Sequence, residues 1–411
     1  MSDTFDNRQI IVDYLEKGCK GGDLGRVGVE IEQFVLDEDG DRVSYDEKHG
    51  RLGIRDILEA LSEFYPNVSR TAEGDIMACS RPAAAITIEP AGQIELSISP
   101  LLGIAEVERE YENFAFRMRQ ILKPRDYELV PYGYDPKSRA LDLPLIPKPR
   151  YHFMDEYFAK LPGMHAERMM RTSASLQVSL DFADEADAVR KLRISTAIGP
   201  IFSYLLDNVP VFEGEPNATP LRRMKIWREV DPARCRVIPG LFGEGFGFAA
   251  YADWLLDTPP IFITRPDEHS TGTQVGREAY ADAPMSIADV EHLMSMVWPD
   301  VRLKRYVEIR QCDAVPFDVA LGYTALLKGL FYAPMNLELL EHALGVSADG
   351  KWPISEDDVE QVIDAIIADE MDAVVYGRSV ESWLNLFFQF APDGLGAEAE
   401  YLEALKDFKG L

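Results

Sequence analysis

Four short segments share an alternating pattern that strongly limits what the chain can fold into. They are VGVEIEQF, ITIEPAGQIELSIS, SLQVSLDF and YVEIR, which begin at residues 27, 86, 175 and 306. In each segment, apolar side chains alternate with carboxylates or amides. Because successive residues of a strand point to opposite faces of its sheet, each segment predicts a strand with one apolar and one polar face.

The polar positions of these strands are unusual because so many of them are glutamate. A sheet with one solvated face produces such alternation routinely, and for one strand that explanation suffices. Across the strands, however, five polar positions carry the same acidic residue: Glu30, Glu32, Glu89, Glu95 and Glu308. Carboxylates gathered on one face repel one another unless cations hold them, and hard divalent cations prefer oxygen ligands. The pattern therefore favours a metal site on the sheet.

A basic segment interrupts the acidic chain. Residues 221–236, LRRMKIWREVDPARCR, contain six lysines and arginines. A solvated helix face would explain them, and so would an anion site in which guanidinium groups bind phosphate or carboxylate. Arg310, two positions after Glu308, and Arg171 are candidates to join such a site. Clustered carboxylates and arginines together are typical of metal-assisted phosphoryl transfer.

Composition narrows the function classes. The formal net charge of −28 argues against unaided binding to nucleic acid or to an anionic membrane, and it leaves small molecules as the expected partners. The four cysteines are scattered, which favours a reducing cytoplasm. The polar start, MSDTFDNRQI, predicts no signal peptide, and no apolar run reaches the length of a membrane span. Oligomeric state stays open.

The remaining patterns predict an α+β fold with an antiparallel sheet. A return strand is expected after the first alternating segment, beyond the turn DEDGDRV. Two proline-rich stretches, 124–150 and 208–250, are expected to be loops. No P-loop, dinucleotide-binding glycine motif or HExxH motif is present. Helical periodicity or helix-boundary signals predict helices over 7–18, 51–64, 103–122 and 184–206, and from the end of strand 305–311 to about 343.

Several segments resemble, in order, the glutamate–cysteine ligases of the plant and proteobacterial type. They are GVEIE, ITIEPAGQIELS, RTSASLQVSLDF, IWREVDPAR, YADWLLDTPPIFI and VRLKRYVEIRQCD. The resemblance spans roughly residues 25–335. It implies a fold similar to that of glutamine synthetase, with a curved antiparallel sheet, helices on its convex face and the active site on its concave face. We accordingly expect a catalytic domain over 1–345, with the acidic helical region 346–411 packed on it.

The resemblance also implies a reaction. ATP would phosphorylate the γ-carboxylate of L-glutamate, and the amine of L-cysteine would attack the acyl phosphate to give γ-glutamylcysteine, ADP and phosphate. Two or three Mg²⁺ ions would bridge the phosphates, and the product would serve glutathione biosynthesis in the cytoplasm. Two alternatives stay open: a ligase of the same family with another amine or acid substrate, and a non-catalytic binding or regulatory protein on a ligase scaffold.

Most site residues follow from the same resemblance, and Lys225 is added from the basic segment 221–236. Catalysis is assigned to Glu308 and Arg310, and ATP binding to Arg310, Gln177 and Lys225. Substrate binding is assigned to Arg171, Arg234 and Ser179, although the family strand usually has Asn where Ser179 stands. Replacing Glu308 by Gln is expected to stop turnover and leave the fold intact, because a carboxylate that faces other carboxylates adds little to the stability of the fold. The implied metal ligands are Glu30, Glu32, Glu89, Glu95 and Glu308.

Overall fold

The alternating segments form strands of one sheet in the computed structural model, which describes residues 6–47, 50–265 and 269–411. In chain order, the strands are β1 (Val27–Leu36), β2 (Asn67–Arg70), β3 (Ile76–Arg81), β4 (Ala84–Ile88), β5 (Ile94–Leu101), β6 (Glu128–Val130), β7 (Ser175–Leu180), β8 (Val211–Phe212), β9 (Glu215–Pro216), β10 (Phe262–Ile263), β11 (His269–Ser270), β12 (Val301–Leu303), β13 (Val307–Asp313), β14 (Val374–Val375) and β15 (Arg378–Ser379).

The main sheet is antiparallel, as predicted. Within the described ranges, nine strands build it in the order β12-β13-β7-β1-β5-β4-β3-β2, with β6 paired to β1 as well. Every pairing between its strands runs antiparallel. Three of the four alternating segments, on β1, β7 and β13, are therefore immediate neighbours, and β5 completes the set on the other side of β1.

The helices cover the predicted helical segments, but they also occur inside 208–250, which was expected to be a loop and contains Arg222–Arg228 and the start of the helix at Phe248. In chain order, they are α1 (Asn7–Glu16), α2 (Ile54–Ser62), α3 (Ile104–Leu122), α4 (Pro149–Phe158), α5 (Ala166–Thr172), α6 (Glu185–Leu205), α7 (Arg222–Arg228), α8 (Phe248–Asp257), α9 (Gly276–Ala279), α10 (Ile287–Met294), α11 (Phe317–Tyr332), α12 (Pro334–Ala343), α13 (Glu356–Asp369), α14 (Val380–Phe390) and α15 (Leu402–Lys409).

The apolar face of the sheet and the long helices share one core. Val29, Val178 and Ile309 are each at most 2% exposed and belong to the same buried cluster as the inner residues of α6 and α11. Helix α6 contacts β12 and β13, whereas α11 contacts β1 and β7. Burying this face drives folding, so the opposite parity, with its glutamates, is left to line the other face.

The C-terminal region packs closely on α11. A side-chain carbon at Gly322 would overlap the backbone of Tyr401, and one at Gly329 would overlap the backbone of Ala391. Only glycine permits such an approach between backbones. The buried side chains of α13, α14 and α15 join the core formed by the rest of the chain.

One predicted strand is wrong. The turn after β1 returns through a single bridge between Leu36 and Arg42 rather than through a strand. Asp37 stabilises this turn by accepting hydrogen bonds from the backbone N–H groups of Asp39 and Asp41. Arg42 then leaves the sheet to form a fully buried ion pair with Asp135. This pair joins residues 93 positions apart in the chain, and no local pattern announces it.

Candidate active site

The strand register gathers the predicted acidic residues. Glu30 lies opposite Gln177 on β7, and Glu32 lies opposite Glu95 on β5. The turn between β4 and β5 places Glu89 at the same end of the sheet. In this turn the Glu89 N–H donates to the Gln93 carbonyl, and Gly92, at φ +84°, donates to the Glu89 carbonyl. These four carboxylates line one cavity of about 370 Å³ together with Gln177 and Arg310.

The four carboxylates of this cavity, which we call the glutamate row, are mutually destabilised. Burial, followed by the charge of Glu95, raises the pKa of both Glu30 and Glu32 to about 7. Burial and then Glu32 raise the pKa of Glu89 to about 7, and burial and then Glu89 raise that of Glu95. Among the described residues, Glu30 and Glu89 accept no side-chain hydrogen bond and form no ion pair. Bound cations would relieve this repulsion.

Glu308 is placed differently from the glutamate row. It is fully buried, and its carboxylate accepts hydrogen bonds from Arg302 (2.6 Å), Arg310 (2.8 Å) and Lys304 (3.0 Å). Burial alone would raise the pKa of Glu308, but these three cations together hold it well below the usual range. The structure therefore shows Glu308 holding cationic side chains, and we expect its first role to be the orientation of Arg310.

A β-bulge presents Arg310 to the cavity. The pairing of β13 with β7 shifts between Ile309 and Cys312. Arg310 and Gln311 on β13 therefore lie opposite the single residue Gln177 on β7. Arg223, only 3% exposed, stabilises the bulge by donating from Nη1 to the carbonyls of Arg310 (3.4 Å), Gln311 (3.1 Å) and Cys312 (3.3 Å). The Arg310 guanidinium also donates to Gln177. Its orientation is thus fixed before any ligand binds.

A second cavity of about 680 Å³ adjoins the first along the sheet. Glu30 lines both cavities. Ser179, directly opposite Glu308 in the register of β7 and β13, lines the second one beside Gly28. Basic side chains also lie there, namely Lys20, Arg26, Arg81 and Arg305. The site is therefore elongated, and Glu30 stands where its two halves meet.

Besides Glu308, three of the assigned residues line neither cavity: Lys225, Arg171 and Arg234. Lys225 is exposed on α7. Arg171 is ion-paired with Asp155 at 2.6 Å and donates to the carbonyl of Leu143. Arg234 is fully buried; its guanidinium pairs with Asp231 at 2.7 Å and also donates to the Tyr157 hydroxyl and two backbone carbonyls. In this arrangement Arg171 and Arg234 support the loops around the site rather than face a ligand.

Sequence reasoning missed several residues that line the first cavity. They include Lys148, Arg150 and Tyr151, which come from the end of the proline-rich segment and the start of α4, and Arg302 on β12. The expectation that 124–150 is only a surface loop is thus wrong at its C-terminal end. The one available signal was the cross-strand position of Arg302 opposite Glu308 in a hairpin.

We expect the glutamate row to cost stability in the absence of metal. Because the folded pKa of Glu89, about 7, lies above its usual value of 4.5, stability is lost as pH rises through this window. Glu89→Gln should therefore raise the free energy of unfolding at pH 8 by about 1–2 kcal/mol in metal-free buffer and change it little at pH 4. Urea unfolding at the two pH values measures this.

Glu112→Gln is the matched control for that variant, because Glu112 is exposed on α3. We expect it to change stability by less than about 0.5 kcal/mol at both pH values. A Glu89→Gln protein that is less stable than the wild type at pH 8 would contradict the electrostatic account of the row.

Comparison with known proteins agrees with this geometry. The model of the family "Glutamate-cysteine ligase family 2" matches residues 26–351. The chain is 30% identical over 359 residues to the chloroplastic glutamate–cysteine ligase of Medicago truncatula, covering 85% of this chain and 68% of the relative. It is 32% identical over 359 residues to the chloroplastic enzyme of Arabidopsis thaliana, covering 85% and 66%.

A solved structure shares the fold. The crystal structure of Francisella tularensis glutamate–cysteine ligase in complex with AMP superposes with a TM-score of 0.54 at 13% identity, covering 95% of this chain and 82% of that one. The antiparallel α+β architecture is thus that of a known ligase. Together with the family match over most of its length, this shows that the chain belongs to glutamate–cysteine ligase family 2, a family of ligase enzymes.

Proposed function

We propose that this protein joins the γ-carboxylate of L-glutamate to the amine of L-cysteine at the expense of ATP. The observation that carries the proposal is the convergence of the glutamate row and Arg310 on one cavity. Family membership supplies the substrate class. In the proposed reaction, the γ-carboxylate attacks the γ-phosphorus of ATP and releases ADP. The amine then attacks the acyl carbon, phosphate leaves, and the amine loses a proton.

We assign the nucleotide to the second cavity. Its volume and its basic residues suit a polyanionic ligand, and Glu30, shared by both cavities, marks where the γ-phosphoryl group would meet the γ-carboxylate. Arg310 is the group best placed to stabilise the charge that develops during transfer, because its guanidinium is already oriented by Glu308 and Gln177. Ser179 would lie along the nucleotide.

The glutamate row suits Mg²⁺ chemically. In the described parts of the chain, no three His, Cys, Asp or Glu side chains stand close enough to hold an ion as they are. Mg²⁺ does not require such a cage, because it keeps waters and commonly joins one or two carboxylates to substrate phosphates. We propose that Glu30, Glu32, Glu89 and Glu95 hold two or three such ions, which when bound would neutralise phosphate charge. Glu308 would contribute only if one of its three cations moved.

The amine substrate is the part of this proposal that needs the most direct test. A pocket that merely accommodates a small side chain discriminates modestly, since one methylene is worth about 1–3 kcal/mol. We therefore expect L-cysteine to be the best acceptor and 2-aminobutyrate to be accepted detectably. The experiment measures the product of each amine by mass at fixed ATP and glutamate. If another amine is preferred by more than about tenfold in kcat/KM, the cysteine assignment is wrong and the ligase assignment stands.

The cellular setting is likewise a proposal. All four cysteines are free thiols, three of them buried, which fits a reducing compartment such as the cytoplasm. No helix in the described ranges is long and apolar enough to cross a membrane. The two plant relatives described above are named as chloroplastic enzymes. We place this protein in the cytoplasm, where its product would supply glutathione or a related thiol.

A further inference from the structure

Two arginines of helix α7 bind groups next to Arg310 rather than a free anion. Arg223 donates to the backbone carbonyls of the β13 bulge, as described above. Arg228 forms a bidentate ion pair with Asp300, in which Nη1 donates to Oδ1 at 3.0 Å and Nη2 donates to Oδ2 at 2.6 Å. Both side chains of this pair are only 10% exposed. This part of the basic segment is therefore bound to the protein itself.

Asp300 connects this ion pair to Arg310. It directly precedes β12, and its backbone carbonyl accepts a hydrogen bond from the backbone N–H of Arg310 at 3.0 Å. That bond continues the pairing of β12 with β13, in which Val301 lies opposite Ile309. Asp300 thus bonds Arg228 through its side chain and Arg310 through its backbone.

Helix α13 supplies a second carboxylate to Arg228. Oε2 of Glu360 accepts a hydrogen bond from Nε of Arg228 at 2.7 Å, and it accepts another from Arg236 at 3.2 Å. Arg236 also donates to the backbone carbonyl of Arg228 at 2.8 Å. Val359 and Ile363 bury the apolar side of α13 in the core, which fixes the helix that carries Glu360. Arg228 is therefore held by two carboxylates at once.

These contacts bear on the site because Arg310 must meet charge that develops at one place. Its guanidinium is oriented by Glu308 and Gln177, but that orientation also depends on where the backbone of Arg310 lies. A displacement of about 1 Å that originates far from the reacting atoms can cost about 10²-fold in rate. Glu360 lies beyond residue 351, where the match to the ligase family ends, and it lines neither cavity.

We propose that Glu360 is a positioning residue for Arg310 that acts through Arg228 and Asp300. By this route, helix α13 contributes to the active site without lining it. The expected effect on rate rests on the proposed function, since it presumes that Arg310 stabilises the transferred phosphoryl group. Because Glu360 contacts no cavity, its loss should lower kcat and leave substrate binding largely unchanged.

The kinetic test compares Glu360→Ala with Glu360→Gln and with the matched control Asp364→Asn, whose side chain is exposed one turn later on α13. We expect Glu360→Ala to lower kcat by about tenfold, with the KM for ATP, glutamate and cysteine within about threefold of wild type. Glu360→Gln keeps an acceptor oxygen and should recover part of the loss, whereas Asp364→Asn should match the wild type. An unchanged kcat in Glu360→Ala would overturn the assignment.

A double variant shows whether Glu360 acts through Arg310. When Glu360→Ala is added to Arg310→Lys, kcat should fall by less than about twofold further, because the group that Glu360 positions is already absent. If Glu360→Ala instead lowers kcat by the same factor in both backgrounds, Glu360 affects the rate by another route and the proposal is wrong.

Hydrogen exchange tests the same contacts without the reaction. In Glu360→Ala, amide hydrogens of the β13 peptide that contains Arg310 should exchange about tenfold faster, and those of β5 should exchange as in the wild type. Unchanged exchange in β13, or equally faster exchange in both strands, would overturn the proposal. A wild-type protein that releases no glutamate-dependent ADP would refute the proposed function, and the exchange rates would still decide whether Glu360 orders the backbone of Arg310.

Discussion

Replacing Glu308 by Gln is expected to destabilise the protein as well as to stop the reaction. The substitution removes the carboxylate on which Arg302, Lys304 and Arg310 converge, and it leaves buried guanidinium groups without their counter-charge. Removing one partner of a buried ion pair typically costs about 3–5 kcal/mol. We expect a loss of this size in the free energy of unfolding, measured by urea denaturation at pH 7.

Two comparisons separate this effect from a general loss of stability. Asp155→Asn breaks the ion pair with Arg171. Because the Asp155 side chain is 38% exposed, this substitution should cost less than about 1 kcal/mol. Replacing Glu308 by Leu together with Arg302 by Met should recover part of the stability, because it removes the most deeply buried of the three cations along with its partner. It should not recover activity. A Glu308→Gln protein as stable as the wild type would contradict the burial and pairing described here.

Arg310→Lys is expected to abolish most turnover while the protein stays folded. The guanidinium bonds Glu308 and Gln177 at once, and an ammonium on a shorter, flexible stem does not reproduce that planar fork. Because the contact should strengthen as charge develops on the phosphoryl group, the loss should fall mainly on kcat, by about 10²–10³-fold. Steady-state kinetics with ATP and glutamate varied separately measures it.

Arg139→Lys is the matched control, because Arg139 is exposed at the surface. This variant should keep kcat and both KM values at their wild-type levels. An Arg310→Lys enzyme with altered KM for ATP and normal kcat would mean that Arg310 only binds the ground-state nucleotide.

The faces of the strands could be predicted from the sequence because alternation is a local property. Glu30, Gln177 and Arg310 line the cavity on the parity that their strands indicated. The turn at Glu89 was also readable, since Pro90 and Gly92 mark it. The fold class followed from the order of these strands and of the helical segments between them.

The ion-pair partners of individual charged side chains could not be predicted from the sequence in the same way. Glu308 has the same alternating context as Glu30, yet one faces three cations and the other faces carboxylates. Arg234 lies in a basic segment that suggests an anion site, but its guanidinium is ion-paired with Asp231, three residues earlier in the chain. Lys148 lies near the end of a proline-rich stretch, and its neighbours Ile146 and Tyr151 are joined to the site by bonds to the distant residues Pro90 and Ile88. Such long-range packing sets which charges meet.

Oxygen transfer from glutamate to phosphate tests the central claim most directly. Glutamate labelled with oxygen-18 in its γ-carboxylate is incubated with the protein, ATP, Mg²⁺ and L-cysteine. The oxygen-18 content of the released phosphate is then measured by mass spectrometry. An acyl phosphate formed at this site must pass one labelled oxygen to the phosphate for each γ-glutamylcysteine made, and we predict that result. Product formed with unlabelled phosphate, or no product and no glutamate-dependent ADP, would contradict the account.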